Sequence, residues 1–169
     1  PALRYDLTRL VNAFDNLLIL RTFSKGYSLA GLRLGYLIGS PGLIEPIIGK
    51  TRDSYNIDGI SQRLGEAAIS DRGYAEETWQ QVRSDRRTLR DELIALGFRA
   101  PISQANFLLA EVPLHFAMSA EEIYLALKER GVLIRFFNTP LLEDKLRITV
   151  GTTAQNERLC SLLRDIVGK

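Results

Sequence analysis

Hydrophobic positions set the first expectations. Leu7, Leu10, Val11 and Phe14 recur at helical spacing, which predicts an amphipathic helix near the start of the chain. Residues 16–23 form a nearly continuous apolar run, which predicts a strand buried on both faces, as in a parallel or mixed sheet. A glycine-punctuated stretch follows through Gly26, Gly31 and Gly35. Residues 34–39 then read as a second strand, stopped by Ser40, Pro41 and Gly42. A short helix is expected over 43–50, interrupted or begun at Pro46. Ile60, Leu64, Ala67 and Ala68 make a helical stripe, broken at Asp71, Arg72 and Gly73. A longer helix over roughly 74–96 carries Trp79, Val82, Leu89, Leu93 and Leu96 toward one side, and Gly97 is its natural stop.

The remainder alternates. Residues 106–112, 132–137 and 146–150 read as strands, rich in β-branched and aromatic side chains. Ser119 and Glu122 have capping-box spacing and start a helix that Gly131 ends. Thr152 and Gln155 repeat that spacing before a last helix with Leu159, Leu162, Leu163 and Ile166 on one face. Residues 1–52 read as the end of one α/β unit, 53–85 as connecting helices, and 86–169 as a small strand–helix–strand–strand–helix domain. The pattern opens in mid-flow at Pro1, as a piece of a longer protein would.

Composition narrows the function classes. Hydrophobic residues are 46% and charged residues 25% of 169, an average globular balance that excludes disorder and collagen-like repeats. Lys plus Arg is 22 against 20 for Asp plus Glu, a net charge of +2 that gives no argument for a nucleic-acid or membrane partner. No apolar run approaches the roughly 20 residues that cross a bilayer, and no secretory leader pattern is present. Cys160 is the single cysteine and has no disulfide partner in the chain, which fits a reducing, cytoplasmic setting. It reads as a packed thiol, His115 as a loop residue with no metal-ligand partner at useful spacing, and Trp79 as a packing anchor. No metal site is expected.

The chemistry concentrates around Lys25. A buried strand delivers Ser24 and Lys25 to a loop at its end, where ligands of α/β sheets sit. Arg21 and Arg33 flank the lysine, and positive neighbours together with burial favour the neutral, nucleophilic amine. The Ser24 hydroxyl and the planar Arg33 guanidinium suit a phosphate. An amine that condenses with an aldehyde beside a phosphate site is what pyridoxal 5'-phosphate (PLP) requires. On composition alone, the same lysine reads as an ordinary solvated side chain.

The string Ser-Lys-x-x-x-Leu-Ala-Gly-Leu-Arg-x-Gly-Tyr, residues 24–36, resembles the lysine segment of fold-type I PLP-dependent aminotransferases of class I/II. It is most similar to the histidinol-phosphate aminotransferase branch. The resemblance implies the aspartate aminotransferase-like α/β fold, of which this chain would be the C-terminal part of the large domain plus the small domain. It implies that Lys25 forms the Schiff base with the cofactor and that Ser24 and Arg33 contact its phosphate. Residues 146–152, followed by Asn156, Glu157 and Arg158, resemble the family's carboxylate-binding segment, which implies Arg147 as the substrate anchor. Residues 132–135 resemble the preceding strand, whose Arg135 would help bind the substrate's phosphate or acid group. Tyr55 lies where the family has an aromatic near the active-site mouth, and lines the pocket or packs between domains. Asn106 sits where related enzymes place an Asn-Phe close to substrate.

The implied activity is transamination of an amino substrate, histidinol phosphate above all, with a 2-oxo acid such as 2-oxoglutarate, in a homodimer. Family members are roughly twice this length. Their N-terminal part supplies a glycine- or serine-containing phosphate loop, a ring-stacking aromatic, an Asp for the pyridine nitrogen and a Tyr for the ring oxygen. None of these motifs occurs here, so the chain alone is expected to be poorly active or inactive. A PLP-dependent decarboxylase of the same fold, a truncated non-catalytic interaction module and a simple anion-binding surface are the competing readings.

Overall fold

The computed structural model describes residues 7–51 and 53–168. The chain opening at Pro1 and the expected domain limits at residues 1, 52 and 169 lie outside the described residues. The chain divides into two compact units, one ending at Glu76 and one beginning at Glu77.

In the first unit, Leu7–Asn12 forms a 3₁₀ helix where an amphipathic α-helix was expected, with Val11 its buried residue. β1 (Leu18–Thr22) and β2 (Gly35–Gly39) follow the predicted strands closely. They pair with each other, antiparallel, with Leu18 opposite Gly39 and Thr22 opposite Gly35. The expected burial on both faces is not met: β1 is largely exposed, Leu20 to 74%. The apolar run identified a strand correctly. Its burial requires neighbours that the described residues do not provide, since β2 is its only partner.

α1 (Pro41–Thr51) begins earlier than expected, with Pro41 at its first position and Pro46 inside it. Proline suits a first helical position because its missing N–H would be unpaired there anyway. α2 (Gly59–Ser70) is capped by Asp58, whose carboxylate accepts from the Ser61 amide at 2.8 Å and the Ser61 hydroxyl at 2.6 Å. Its buried positions are Ser61 and Gly65, whereas Ile60 and Leu64 of the expected stripe are exposed. Gly65 lies against the Leu34 side chain, where a β-carbon would collide, so close approach selects that helix face over the more apolar one. The break before the next helix is a single residue, Asp71. Its carboxylate accepts from the Tyr74 amide at 3.2 Å, and α3 (Arg72–Ala95) starts at once.

The second unit holds the core. β3 (Phe107–Glu111), β5 (Lys145–Thr149) and β4 (Arg135–Phe136) form an antiparallel sheet in the order β3-β5-β4. Leu108, Ala110, Leu146 and Ile148 alternate onto one face of it, as period-2 side chains must. α4 (Ala120–Glu129) adds Ile123 and Leu127 to this core. α5 (Thr153–Val167) adds Leu159, Cys160 and Leu163. The C-terminal half of α3 adds Leu89 and Leu93. Both expected capping boxes are present, at Ser119–Glu122 and Thr152–Gln155. Hydrogen bonds from Ser119 hold the Glu122 carboxyl below its usual range.

α3 ends as Gly97 predicts. The Phe98 amide donates to the Leu93 carbonyl at 3.0 Å and the Gly97 amide to Ile94 at 2.9 Å, a Schellman pair closed by positive φ at Gly97. The same pair recurs at Gly131, where the Val132 amide donates to Leu127. That second cap accounts for the one strand that falls short. Residues 132–137 were expected to be extended in the sheet, but only Arg135 and Phe136 pair with β5, because the segment starts by closing α4.

Cys160 is buried, and burial, with Glu92 nearby, pushes its thiol up to about 11 while Arg164 opposes the shift. A raised folded-state value means the fold keeps a proton that the unfolded chain releases. Stability from this group is therefore full below about pH 9 and is lost as pH rises to about 11. Urea unfolding is expected to show that alkaline loss in the native chain and a smaller one in Cys160→Ala. At about pH 8 iodoacetamide should leave Cys160 unlabelled until the chain unfolds.

Candidate functional site

Lys25 stands three residues beyond the end of β1, in the connection that returns to β2. Phe23 anchors that connection. It is 6% exposed, its ring lies 5.1 Å from Tyr27 and 5.7 Å from Tyr36, and its amide donates to the Leu34 carbonyl at 3.1 Å. Its carbonyl accepts from the Leu29 amide at 3.2 Å, which curls the loop back on itself. With Phe23 turned inward, Ser24 and Lys25 follow onto the outer side. Lys25 is exposed, and its amine has no acceptor among the described residues. The burial expected of it is therefore absent in this unit, for the reason that leaves β1 exposed.

Ser24 is held by Thr22. The Ser24 amide donates to Thr22 Oγ1 at 3.1 Å, and Thr22 Oγ1 donates to Ser24 Oγ at 2.9 Å. Gly35, opposite Thr22 on β2, has no room for a side chain: a β-carbon there would meet the Arg21 carbonyl oxygen at 2.7 Å.

Arg33 ends a short 3₁₀ turn, Ala30–Leu32, in the left-handed conformation at φ 52°. Ser28, in the same loop, has φ 57°. Two non-glycine residues in that region within one short loop are stored strain, and such strain concentrates at ligand-binding loops. One arm of the Arg33 guanidinium, Nη1, donates to the Ala30 carbonyl at 3.0 Å. The rest makes no hydrogen bond among the described residues.

Arg33 and Tyr55 share one cleft of about 510 Å³, lined also by Gly31, Asn56, Asp58 and Ile60. Tyr55 is 94% exposed at its rim. Asp58, at the start of α2, is held below its usual value by the Ser61 hydroxyl and then the Ser61 amide.

The other two candidate arginines lie in the second unit and meet there. Arg135 of β4 and Arg147 of β5 are direct cross-strand partners, on the sheet face away from the core. Arg147 lies over the rings of Phe107 and Phe137, at 5.5 and 5.7 Å, and Arg135 over Phe137 at 5.2 Å. Like charges directly opposite each other destabilise a sheet. Neither arginine has an acidic partner among the described residues, and each is steadied by aromatic faces instead. Such a pair has the charge and the planar donors that suit an anion. Sequence spacing did not couple Arg135 to Arg147, and it missed Phe137, which both overlie; that coupling depends on register. Asn106 accepts the Val150 amide on its carbonyl at 2.9 Å, so its backbone closes the end of the β3–β5 ladder. His115 is exposed, with its ring 5.3 Å from Phe116.

The donor set at the end of β1 suits the cofactor that the sequence implies. It has a primary amine, a serine hydroxyl and a guanidinium with free arms. Among the described residues, no three His, Cys, Asp or Glu gather as metal ligands, and no helix is long and apolar enough to cross a membrane.

Comparison with known proteins agrees with this chemistry. Residues 4–163 match the family model of aminotransferase class I and II. Histidinol-phosphate aminotransferase 1 of Nostoc sp. (strain PCC 7120) is 47% identical over 158 residues, covering 94% of this chain and 44% of the relative. The crystal structure of histidinol-phosphate aminotransferase from Sinorhizobium meliloti, in complex with pyridoxal-5'-phosphate, superposes with a TM-score of 0.81 at 25% identity. It covers 94% of this chain and 44% of that one. A decarboxylase from Sulfurospirillum multivorans superposes equally, at 0.81 with 24% identity, covering 95% and 46%, and so speaks for the fold alone. This chain thus spans less than half the length of each of these three relatives, and it belongs to the aminotransferase class I and II family.

Proposed function

We propose that this chain carries the lysine, phosphate-anchoring and substrate-anchoring residues of a PLP-dependent aminotransferase that moves the amino group of histidinol phosphate to a 2-oxo acid, 2-oxoglutarate being the expected acceptor. The observation that carries this reading is the array at the end of β1. Thr22 fixes Ser24, Lys25 is presented to solvent, and Arg33 is strained with guanidinium arms to spare. It occurs in a chain 47% identical to a histidinol-phosphate aminotransferase. The cofactor, when bound, supplies a carbonyl for the substrate amine and a ring that draws electrons from the α-carbon. Ser24 and Arg33 hold its phosphate. The Lys25 amine takes the proton from the substrate α-carbon. Arg147, with Arg135 opposite, orients the substrate's anionic end, and Tyr55 closes the rim over Arg33.

Under this reading residues 1–52 are the end of the larger, cofactor-binding domain, 53–85 the connecting helices and 86–169 the small domain. The remaining length of the relatives supplies the rest of the cofactor cup, so the chain alone is poorly active. A homodimer in the cytoplasm belongs to the same proposal. The test joins this chain to the complementary length of the Nostoc relative and follows histidinol phosphate with 2-oxoglutarate. Glutamate formation without carbon dioxide is the expected result. Carbon dioxide and an amine would assign the decarboxylase instead, and no reaction with unselective labelling by PLP would leave only an anion-binding surface.

A further inference from the structure

We propose that Phe137 is a positioning residue that holds Arg135 and Arg147 together as one seat for a doubly charged anion; this rests on the reading of those two arginines given above. Phe137 lies one residue past β4, and strand alternation puts it on the outer face with Arg135. Its neighbour Phe136 turns the other way, against the core and with its ring 6.1 Å from that of Tyr124. The Phe137 ring lies under both guanidinium groups, 5.2 Å from Arg135 and 5.7 Å from Arg147.

The need for the ring comes from register. Arg135 and Arg147 are direct partners across the β4–β5 ladder, so their side chains leave the sheet side by side. Two like charges there repel, and without a restraint the long side chains would swing apart into water. A carboxylate neighbour would restrain them, but it would occupy the N–H donors that an anion needs. An aromatic face attracts a guanidinium through the ring quadrupole and takes up no N–H donor. That attraction and the repulsion of a facing pair are of similar size, so the ring holds what the register opposes. Neither guanidinium makes a hydrogen bond or ion pair among the described residues, so both forks stay open. Arg147 has a second ring, Phe107 at 5.5 Å, whereas Arg135 has only Phe137 among the described residues. Loss of Phe137 therefore frees Arg135 first and leaves Arg147 to serve a single charge.

The experiment titrates the full chain with sulfate, a tetrahedral dianion, and with acetate, a monoanion. Affinity is read from the side-chain Nε–Hε NMR signals of Arg135 and Arg147. In the parent, sulfate should move both signals together and bind more tightly than acetate. Phe137→Leu keeps an apolar side chain and removes the ring face. It should weaken sulfate binding about tenfold, leave acetate binding within about twofold, and silence the Arg135 response. Phe137→Tyr keeps the ring and should behave as the parent does. In an Arg135→Gln background, Phe137→Leu should cost far less sulfate affinity, because no pair is left to hold together. If Phe137→Leu lowers stability, the Phe137→Tyr rescue and the Arg135→Gln cycle still decide the matter.

Unchanged sulfate affinity in Phe137→Leu overturns the proposal. So does an equal fall for sulfate and acetate, or a loss that adds in full to that of Arg135→Gln. Equal loss in Phe137→Tyr would also overturn it, by assigning the effect to packing at this position. If the parent binds no sulfate at these signals, or if Arg147→Gln leaves its sulfate affinity unchanged, the reading of the arginine pair itself falls, and the role of Phe137 with it.

Discussion

Replacing Lys25 with alanine is expected to lower amino transfer by about 10³-fold or more in the protein completed from the Nostoc relative. The loss combines the proton-transfer contribution of a positioned base with that of a nucleophilic amine. Borohydride reduction with PLP should fix a stoichiometric label on Lys25, located by peptide mapping, and Lys25→Ala should lose it. Thermal stability should not change, because Lys25 is exposed and its amine bonds to no described residue. An unselective label spread over many lysines would count against Lys25. So would retention of most activity by the alanine variant. A stoichiometric label on Lys25 in the chain alone would show that fewer of the relatives' other residues are needed to hold the cofactor than proposed here.

The second large effect is expected at Arg147. Arg147→Ala should lower kcat/KM for the anionic substrates by about 10²-fold, mainly through KM, as for loss of one partner in a desolvated, charge-assisted pair. Arg147→Lys should recover little of it, since an ammonium cannot offer the planar fork. Stability should move in a way that separates this role from an ordinary surface ion pair. Arg147 faces Arg135 across the ladder and has no acidic partner among the described residues. Its removal relieves a like-charge opposition while forfeiting contacts with Phe107 and Phe137. Each of these terms is small and they oppose, so the melting temperature should stay within a few degrees of the parent. A large drop in stability with unchanged KM would mean that Arg147 holds the sheet together and binds no substrate.

Much of the local structure was legible in the residues because its signals are local. Ser119 with Glu122, Thr152 with Gln155, and the glycines at 97 and 131 act on amides three to five positions away, so reading them needs no tertiary context. The readings that depended on distant neighbours fared differently. The apolar run at 16–23 named a strand but not its surroundings, and β1 is exposed with β2 alone beside it. The apolar stripe of α2 named a helix but not its inward face, which Gly65 sets by permitting contact with Leu34. The segment 132–137 had the composition of a strand, yet closing α4 took its first residues out of the ladder.

The candidate site divides along the same line. By itself the sequence determined which chemical groups are present and in what order: a hydroxyl, an amine and a guanidinium within ten residues, and two arginines far downstream. Side-chain chemistry belongs to the residue and needs no fold. Only the tertiary structure decided that Thr22 holds Ser24, that Arg33 is left-handed and shares a cleft with Tyr55, and that Arg135 stands opposite Arg147. Those facts depend on strand register, loop closure and helix packing. Each is fixed by contacts between residues far apart in the chain, where the spacing of neighbouring side chains carries no information.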